Sequence, residues 1–200
     1  MDFVAGEWRR AELRVVRASF SGELAFELHC GAEIATALWQ SLIAAGLEPY
    51  GLEALDILRL EKGYLTGAEI NGQTTPLDLN MQGLMKTPNL CIGRTMLNRP
   101  AFQEAQRPVL VGFKAADGRS AVLAGAQITT DGTSNRPVGY VTSSVYSPAL
   151  AQWIGLALID RSLSKQDEVL VGRDPLRNGN TPIRITSMTH FDIAGERLRS

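Results

Sequence analysis

Between residues 109 and 188 the chain breaks into short β-favouring runs at near-regular intervals, and this pattern limits the fold more than any other feature. The runs are 109–114, 122–128, 139–143, 154–159, 169–172 and 183–188. Turn formers separate them: Asp117-Gly118, Asp131-Gly132, Asn135-Arg136-Pro137, Ser147-Pro148, Asp174-Pro175 and Asn178-Gly179-Asn180. Runs this short cannot each bury a face alone. Six of them at this spacing predict a small antiparallel barrel or sandwich.

The first half reads differently. Residues 14–20 and 24–30 are short β-favouring runs around Ser21-Gly22-Glu23, which predicts a hairpin. From residue 31 the period changes: Ile34, Leu38, Leu42 and Ala45 recur every three to four positions, and Gly46 stands where a C-terminal glycine cap belongs. A second helix is expected over 52–62, with Leu52, Leu55 and Leu58 or Arg59 on one stripe and Gly63 ending it. Asn71-Gly72, Thr74-Thr75-Pro76 and Thr87-Pro88 read as loop chemistry. Pro100 opens a short helix, and a domain boundary is expected near 106–108. Strands followed by helices on short loops predict an α+β layer ahead of the barrel, so the fold class is α+β with domains 1–106 and 107–200.

Twenty basic against 21 acidic residues leave no electrostatic footprint for nucleic acid or an anionic membrane. No run approaches the ~20 apolar residues of a membrane span. The opening MDFVAGEWRRAEL lacks the apolar centre of a signal peptide. Cys30 and Cys91 form no disulfide framework. Together these predict a soluble, cytoplasmic chain.

Several chemistries are set aside. His29 and His190 are the only histidines, and with the two cysteines they make no metal-ligand spacing. No dinucleotide fingerprint, phosphate loop or nucleophile elbow is present. Cys30, Trp39 and Trp153 are read as packing residues. Glu27 is harder to dismiss, because it interrupts the apolar run LAFEL (24–28). One reading makes it a solvated carboxylate on the open face of a ribbon. The other sets it beside Phe26 and Leu28 in a half-apolar cleft, where it would grip two adjacent N–H donors of a flat heterocycle.

Five motifs then occur in a telling order: SFSGELAFEL (19–28), PYGLEALDILRLEKGY (49–64), TTPLDLNM (74–81), IGRTML (92–97) and VGYVTSSVYSPALAQWIGLALI (138–159). Over residues 14–200 the chain resembles the tetrahydrofolate-binding aminomethyltransferase family. That family includes the T protein of the glycine cleavage system and the dimethylglycine and sarcosine dehydrogenases and oxidases. Within it the chain is most similar to the C-terminal part of the heterotetrameric sarcosine oxidase alpha subunit, whose tail is like FDIAGERLRS (191–200).

The resemblance implies a partial folate-binding layer over 1–106, a barrel over 107–200, and tetrahydrofolate as cofactor. It implies that Glu27 grips the pterin edge, with Phe26, Arg59 and Tyr64 as further binding positions. Ala25 stands where the family usually has glycine. Leu55 fills the slot of a T-protein arginine, as an apolar residue does in the sarcosine oxidase branch. Arg59 has two readings: an anchor for a ligand carboxylate, or a salt bridge with Glu61 or Asp56. No catalytic base is apparent. Family members carry a substantial segment before this hairpin, so the expectation is a split subunit or fragment, inactive alone. Its partner would supply the missing folate half or the oxidase subunits, or would be a second copy. The function implied is transfer of a methylene group from an N-methyl amine to tetrahydrofolate. The alternative is a non-catalytic binding or assembly module on the same fold. The iron–sulfur assembly relatives of this type carry a cysteine where this chain has Tyr64, which argues against that role.

Overall fold

The computed structural model describes residues 2–85, 92–104, 107–134, 136–174, 176–177 and 179–199. The expected turn at Thr87-Pro88, Cys91, the boundary residue Gln106 and the turn residues Asn135, Pro175 and Asn178 lie outside the described residues. The chain divides into two compact units: Met1–Arg59 with Asp192–Ser200, and Leu60–Phe191.

The first unit is built on an antiparallel sheet of β1 (Phe3–Trp8), β2 (Ala11–Arg17) and β3 (Phe26–Cys30), in that order. The β2–β3 pair is the hairpin expected from sequence. Strand β1 was not expected. It joins β2 through a two-residue turn, Arg9-Arg10, with both residues in the left-handed region (φ 52° and 67°). Such turns match the twist of the strands but normally use Asn or Gly, so two arginines hid this one. Helix α1 (Ala32–Ala44) follows, then α2 (Leu52–Glu61), within which the division between units falls. Both stop at left-handed glycines, Gly46 and Gly63.

Leu38 is the buried residue of α1. Trp39, read as a packing residue, is instead 56% exposed. It lies about 100° around the helix from Leu38, off the stripe of Ile34, Leu38 and Leu42. Leu52, placed on the apolar stripe of α2, is 84% exposed. The C-terminal segment returns to this unit. The Leu24 N–H donates to the Arg197 carbonyl, and the Arg197 guanidinium pairs with Glu23 at 3.0 Å. Both side chains are solvated, so the pair contributes at most ~1 kcal/mol.

The second unit opens with the end of α2, passes through the short helical turns α3 (Arg94–Leu97) and α4 (Pro100–Gln103), and enters the barrel. Its strands are β4 (Pro108–Ala115), β5 (Gln127–Thr129), β6 (Gly139–Ser147), β7 (Gln152–Asp160), β8 (Val169–Asp174) and β9 (Gly179–Thr186). They close in the order β4-β7-β6-β5-β8-β9, every pair antiparallel. The structure therefore chooses the barrel over the sandwich. The run expected at 122–128 shrinks to β5, because Gly125 (φ 85°) turns the preceding segment out of the sheet.

Two apolar clusters hold this unit. Val111, Phe113, Ile128, Ala157, Ile159, Leu170 and Ile185 fill the barrel, with Trp153 packed against them, half-buried as expected. A second cluster lies on the outer face, where Leu60 and Leu79 cover Leu110, Ile154, Leu156 and Leu158. Strand β7 is thus buried on both faces, which explains its unbroken apolar run WIGLALI. Each such side chain contributes roughly 1.5–3 kcal/mol on burial.

Candidate functional site

Side chains alternate across a strand, and the register of the first sheet sorts its residues into two faces. One face carries the rows Val4–Val15–Leu28 and Gly6–Leu13–Cys30, with Arg17 opposite Phe26. The other carries Phe3–Val16–Glu27 and Ala5–Arg14–His29, then Glu7 opposite Glu12. Glu27 therefore sits on the polar face. Its carboxylate accepts from His29 Nε2 at 3.2 Å, and both side chains stay mostly exposed. Across the strands Arg14 pairs with Glu12 at 2.7 Å. The sequence signal for the Glu27–His29 pair was its spacing of two, which keeps both on one side of a strand. Cys30 is a half-buried free thiol. A shallow cleft of about 220 Å³ is lined by Glu12, Arg14, His29, Cys30 and Gly31.

Phe26, next to Glu27, faces the opposite way and is 55% exposed. Arg59 is buried, and its Nε donates to Asp56 Oδ1 at 2.6 Å, as the salt-bridge reading expected. Leu55 lines a cleft of about 410 Å³ with Phe20, Leu52, Glu53 and Asp56. Tyr64 is half-buried just past Gly63 and belongs to the second unit, whereas Glu27, Phe26 and Arg59 belong to the first. Among the described residues no cluster of three His, Cys, Asp or Glu side chains could hold a metal ion.

The second unit contains buried polar groups that sequence reasoning missed. Ser147 Oγ donates to the buried Glu61 carboxylate at 2.5 Å. Ser143 Oγ donates to Glu69 Oε1 at 2.6 Å, and Thr66 N and Oγ1 donate to Oε2 at 2.9 and 3.1 Å. Burial pushes the Glu69 carboxyl up, but the hydrogen bonds from Ser143, Thr142 and Thr66 outweigh it and hold the group below its usual range. Asp78 behaves alike: burial raises it, while Arg107 and Thr75 donate to it and bring it lower. These bonds fasten residues 61–81 to the barrel wall.

A β-bulge between Val141 and Ser143 makes the attachment possible. Val141 opposes Ala157 inside the barrel, and Ser143 opposes Leu156 outside it. The extra residue turns Ser143 outward toward Glu69. His190 is a further, half-buried titratable group of this unit. Burial pushes its imidazole down to about 4; the hydrogen bond to the Gly155 carbonyl (3.2 Å) opposes this shift, and the Lys114 charge adds to it.

The motifs thus form an exposed polar sheet face in one unit and a fastened barrel in the other. Residues 1–88 match the family model described as the GCVT N-terminal domain, and residues 109–192 match the glycine cleavage T-protein C-terminal barrel domain. The chain belongs to the glycine cleavage T-protein family. Among its relatives, the sarcosine oxidase subunit alpha of Rhizobium meliloti (strain 1021) is 38% identical over 191 residues, covering 91% of this chain and 19% of that one. The aminomethyltransferase of Caldanaerobacter subterraneus subsp. tengcongensis is 35% identical over 175 residues, covering 83% of this chain and 46% of its own length. The crystal structure of glycine cleavage system aminomethyltransferase T from Bartonella henselae shares the fold, with a TM-score of 0.76 at 23% identity, over 90% of this chain and 50% of that one. The chain thus spans about a fifth of the oxidase subunit and about half of the T-protein relatives. No described helix is long and apolar enough to cross a membrane.

Proposed function

We propose that this chain is the tetrahydrofolate-binding part of a sarcosine oxidase-like N-methyl amine demethylase, acting in the cytoplasm. The observation that carries the reading is the 38% identity to a sarcosine oxidase alpha subunit over nearly the whole chain, joined to Leu55 in the slot where T proteins place arginine. When bound, tetrahydrofolate supplies the nitrogen pair that takes up a one-carbon unit, giving 5,10-methylenetetrahydrofolate.

The residues present fit that group. Glu27 is an acceptor-only carboxylate on an open face, and one of its oxygens is engaged by His29. The other oxygen has no partner among the described residues, so the group can turn to meet two adjacent N–H donors of a pterin edge. Arg59 is proposed as a further binding position; Phe26, on the opposite face of β3, and Tyr64, in the second unit, are not joined to the Glu27 contact. Arg59 would act by holding Asp56 and the end of α2 in place. We assign the folate layer to residues 1–106 and the barrel to 107–200, with cleavage by a protease expected first between them or in the 71–87 loop.

The first unit also supports a partner. Phe3, Val4, Phe26 and Leu28 expose apolar surface on the sheet, and β1 is exposed on both faces. Surface of this kind is normally covered in a working protein. The partner proposed is another polypeptide of a sarcosine oxidase-like assembly, across an interface of at least ~1,000 Å². Titration calorimetry of the full chain with tetrahydrofolate tests the assignment. Two charge-assisted hydrogen bonds, at ~1.5–3 kcal/mol each, mean that Glu27→Ala weakens binding by roughly tenfold or more. An unchanged dissociation constant in a folded variant, or no binding by the wild type, would overturn it.

A further inference from the structure

We propose that Asn71–Gly72 is a self-modifying site, at which the folded protein converts Asn71 into aspartate and isoaspartate. The loop provides each requirement of that reaction. Asn71 Oδ1 accepts from the Gln73 N–H at 2.9 Å, an Asx turn that folds the side-chain amide back over the peptide of Gly72. The Gly72 N–H donates to no group among the described residues, so its nitrogen is available as the nucleophile. Gly72 and Gln73 are exposed, which gives water and base access. Gly72 has no side chain to hinder the approach, and a Cβ built there meets nothing within 4 Å.

The chemistry is redox-neutral. The Gly72 nitrogen gives its proton to solvent base and bonds to Asn71 Cγ. The Cγ–Nδ2 bond breaks as the departing nitrogen takes a proton back from solvent and leaves as ammonia, closing a five-membered succinimide. Water then opens the ring at either carbonyl, to aspartate or isoaspartate.

The isoaspartate product has a structural consequence. It inserts a methylene into the backbone between residues 71 and 72. The Asn71 carbonyl accepts from Thr74 N at 3.3 Å, and Thr74 Oγ1 accepts from Asn71 N at 3.2 Å while donating to the Glu69 carbonyl at 2.8 Å. A lengthened backbone breaks this short ring of bonds, and the loop beside the buried Glu69 loosens. The other Asn-Gly pair has Asn178 outside the described residues, so the inference concerns Asn71 alone.

The test incubates the full native chain at mildly alkaline pH and maps peptides by mass, with isoaspartyl methyltransferase labelling. Gly72→Ala is the informative variant, since its methyl group enters open space and leaves the fold intact. The expected result is conversion in the peptide carrying Asn71, lost in Gly72→Ala, with the aged wild type cut faster by protease at 71–74. Intact Asn71 in the folded wild type, equal conversion in Gly72→Ala, or conversion with no change in cleavage would each overturn the proposal.

Discussion

The two units of the chain spend their apolar residues in opposite ways. In the first, Leu38 is the one buried apolar side chain described, while Phe3, Val4, Phe26, Leu28, Trp39 and Tyr50 face outward. In the second, every strand of a closed barrel contributes to a packed interior, and two strands are covered on both faces. A closed barrel leaves no edge to protect, whereas a three-stranded sheet has two. One unit thus closes on its own packed core, and the other leaves its sheet faces exposed. The lesson is that packed core and exposed apolar surface are concentrated in different parts of one short chain.

The contrast is broken most sharply in the core. Phe113→Ala removes a fully buried ring from the barrel and should cost ~3–5 kcal/mol, read by denaturant unfolding of the second unit. Phe26→Ala, on the exposed sheet, should stay within about 0.5 kcal/mol. Similar losses for both would dissolve the distinction.

Acidification gives the next largest effect, and it should act on the second unit. His190 is depressed from 6.5 to about 4, so between those values the unfolded chain binds the proton and the folded chain does not. Stability is therefore fully present above pH 6.5 and declines as pH falls toward about 4, by about 3 kcal/mol. His190→Gln, which keeps a donor for the Gly155 carbonyl, should flatten the stability profile over that window. A wild-type profile already flat there would contradict the burial of His190.

The Glu69 attachment comes third. Glu69→Ala leaves Ser143 Oγ and the Thr66 N–H without their acceptor and should cost ~1–3 kcal/mol by thermal unfolding. The depressed carboxyl contributes stability above the ordinary carboxylate range, lost as pH falls through its lower folded value. A neutral Glu69→Ala would mean that the Ser147–Glu61 and Arg107–Asp78 bonds, with the Leu60 and Leu79 packing, hold residues 61–81 without help from Glu69.

The smallest stability effect is expected at the polar face of the sheet that carries Glu27. Glu27→Ala should change stability by less than about 0.5 kcal/mol, because its carboxylate is solvated in the free chain. A large loss would make Glu27 structural and weaken its assignment to folate.

How far these features were legible depends on which physical signal each one left. The barrel was legible because apolar runs and turn residues alternate along 109–188. The stripe of Ile34, Leu38 and Leu42 was legible from its period. Strand β1 was not, because Arg9-Arg10 makes a glycine-type turn with arginines. The Ser143–Glu69 bond was not, because it depends on a bulge that turns Ser143 outward, and a bulge leaves no periodic mark. Glu27 could be singled out as a carboxylate in an apolar run. Its face, opposite to that of Phe26, follows from strand alternation, but the neighbours Arg14 and Val16 required the register.

The central claim is that an open, uncovered sheet and a self-sufficient barrel share one chain. Native-state amide hydrogen exchange on the full chain, read peptide by peptide, tests it directly. Amides of β4 and β7 should exchange only through global unfolding, while those of β1 and β3 exchange much faster through local opening. Equal protection of the sheet and the barrel would contradict the claim.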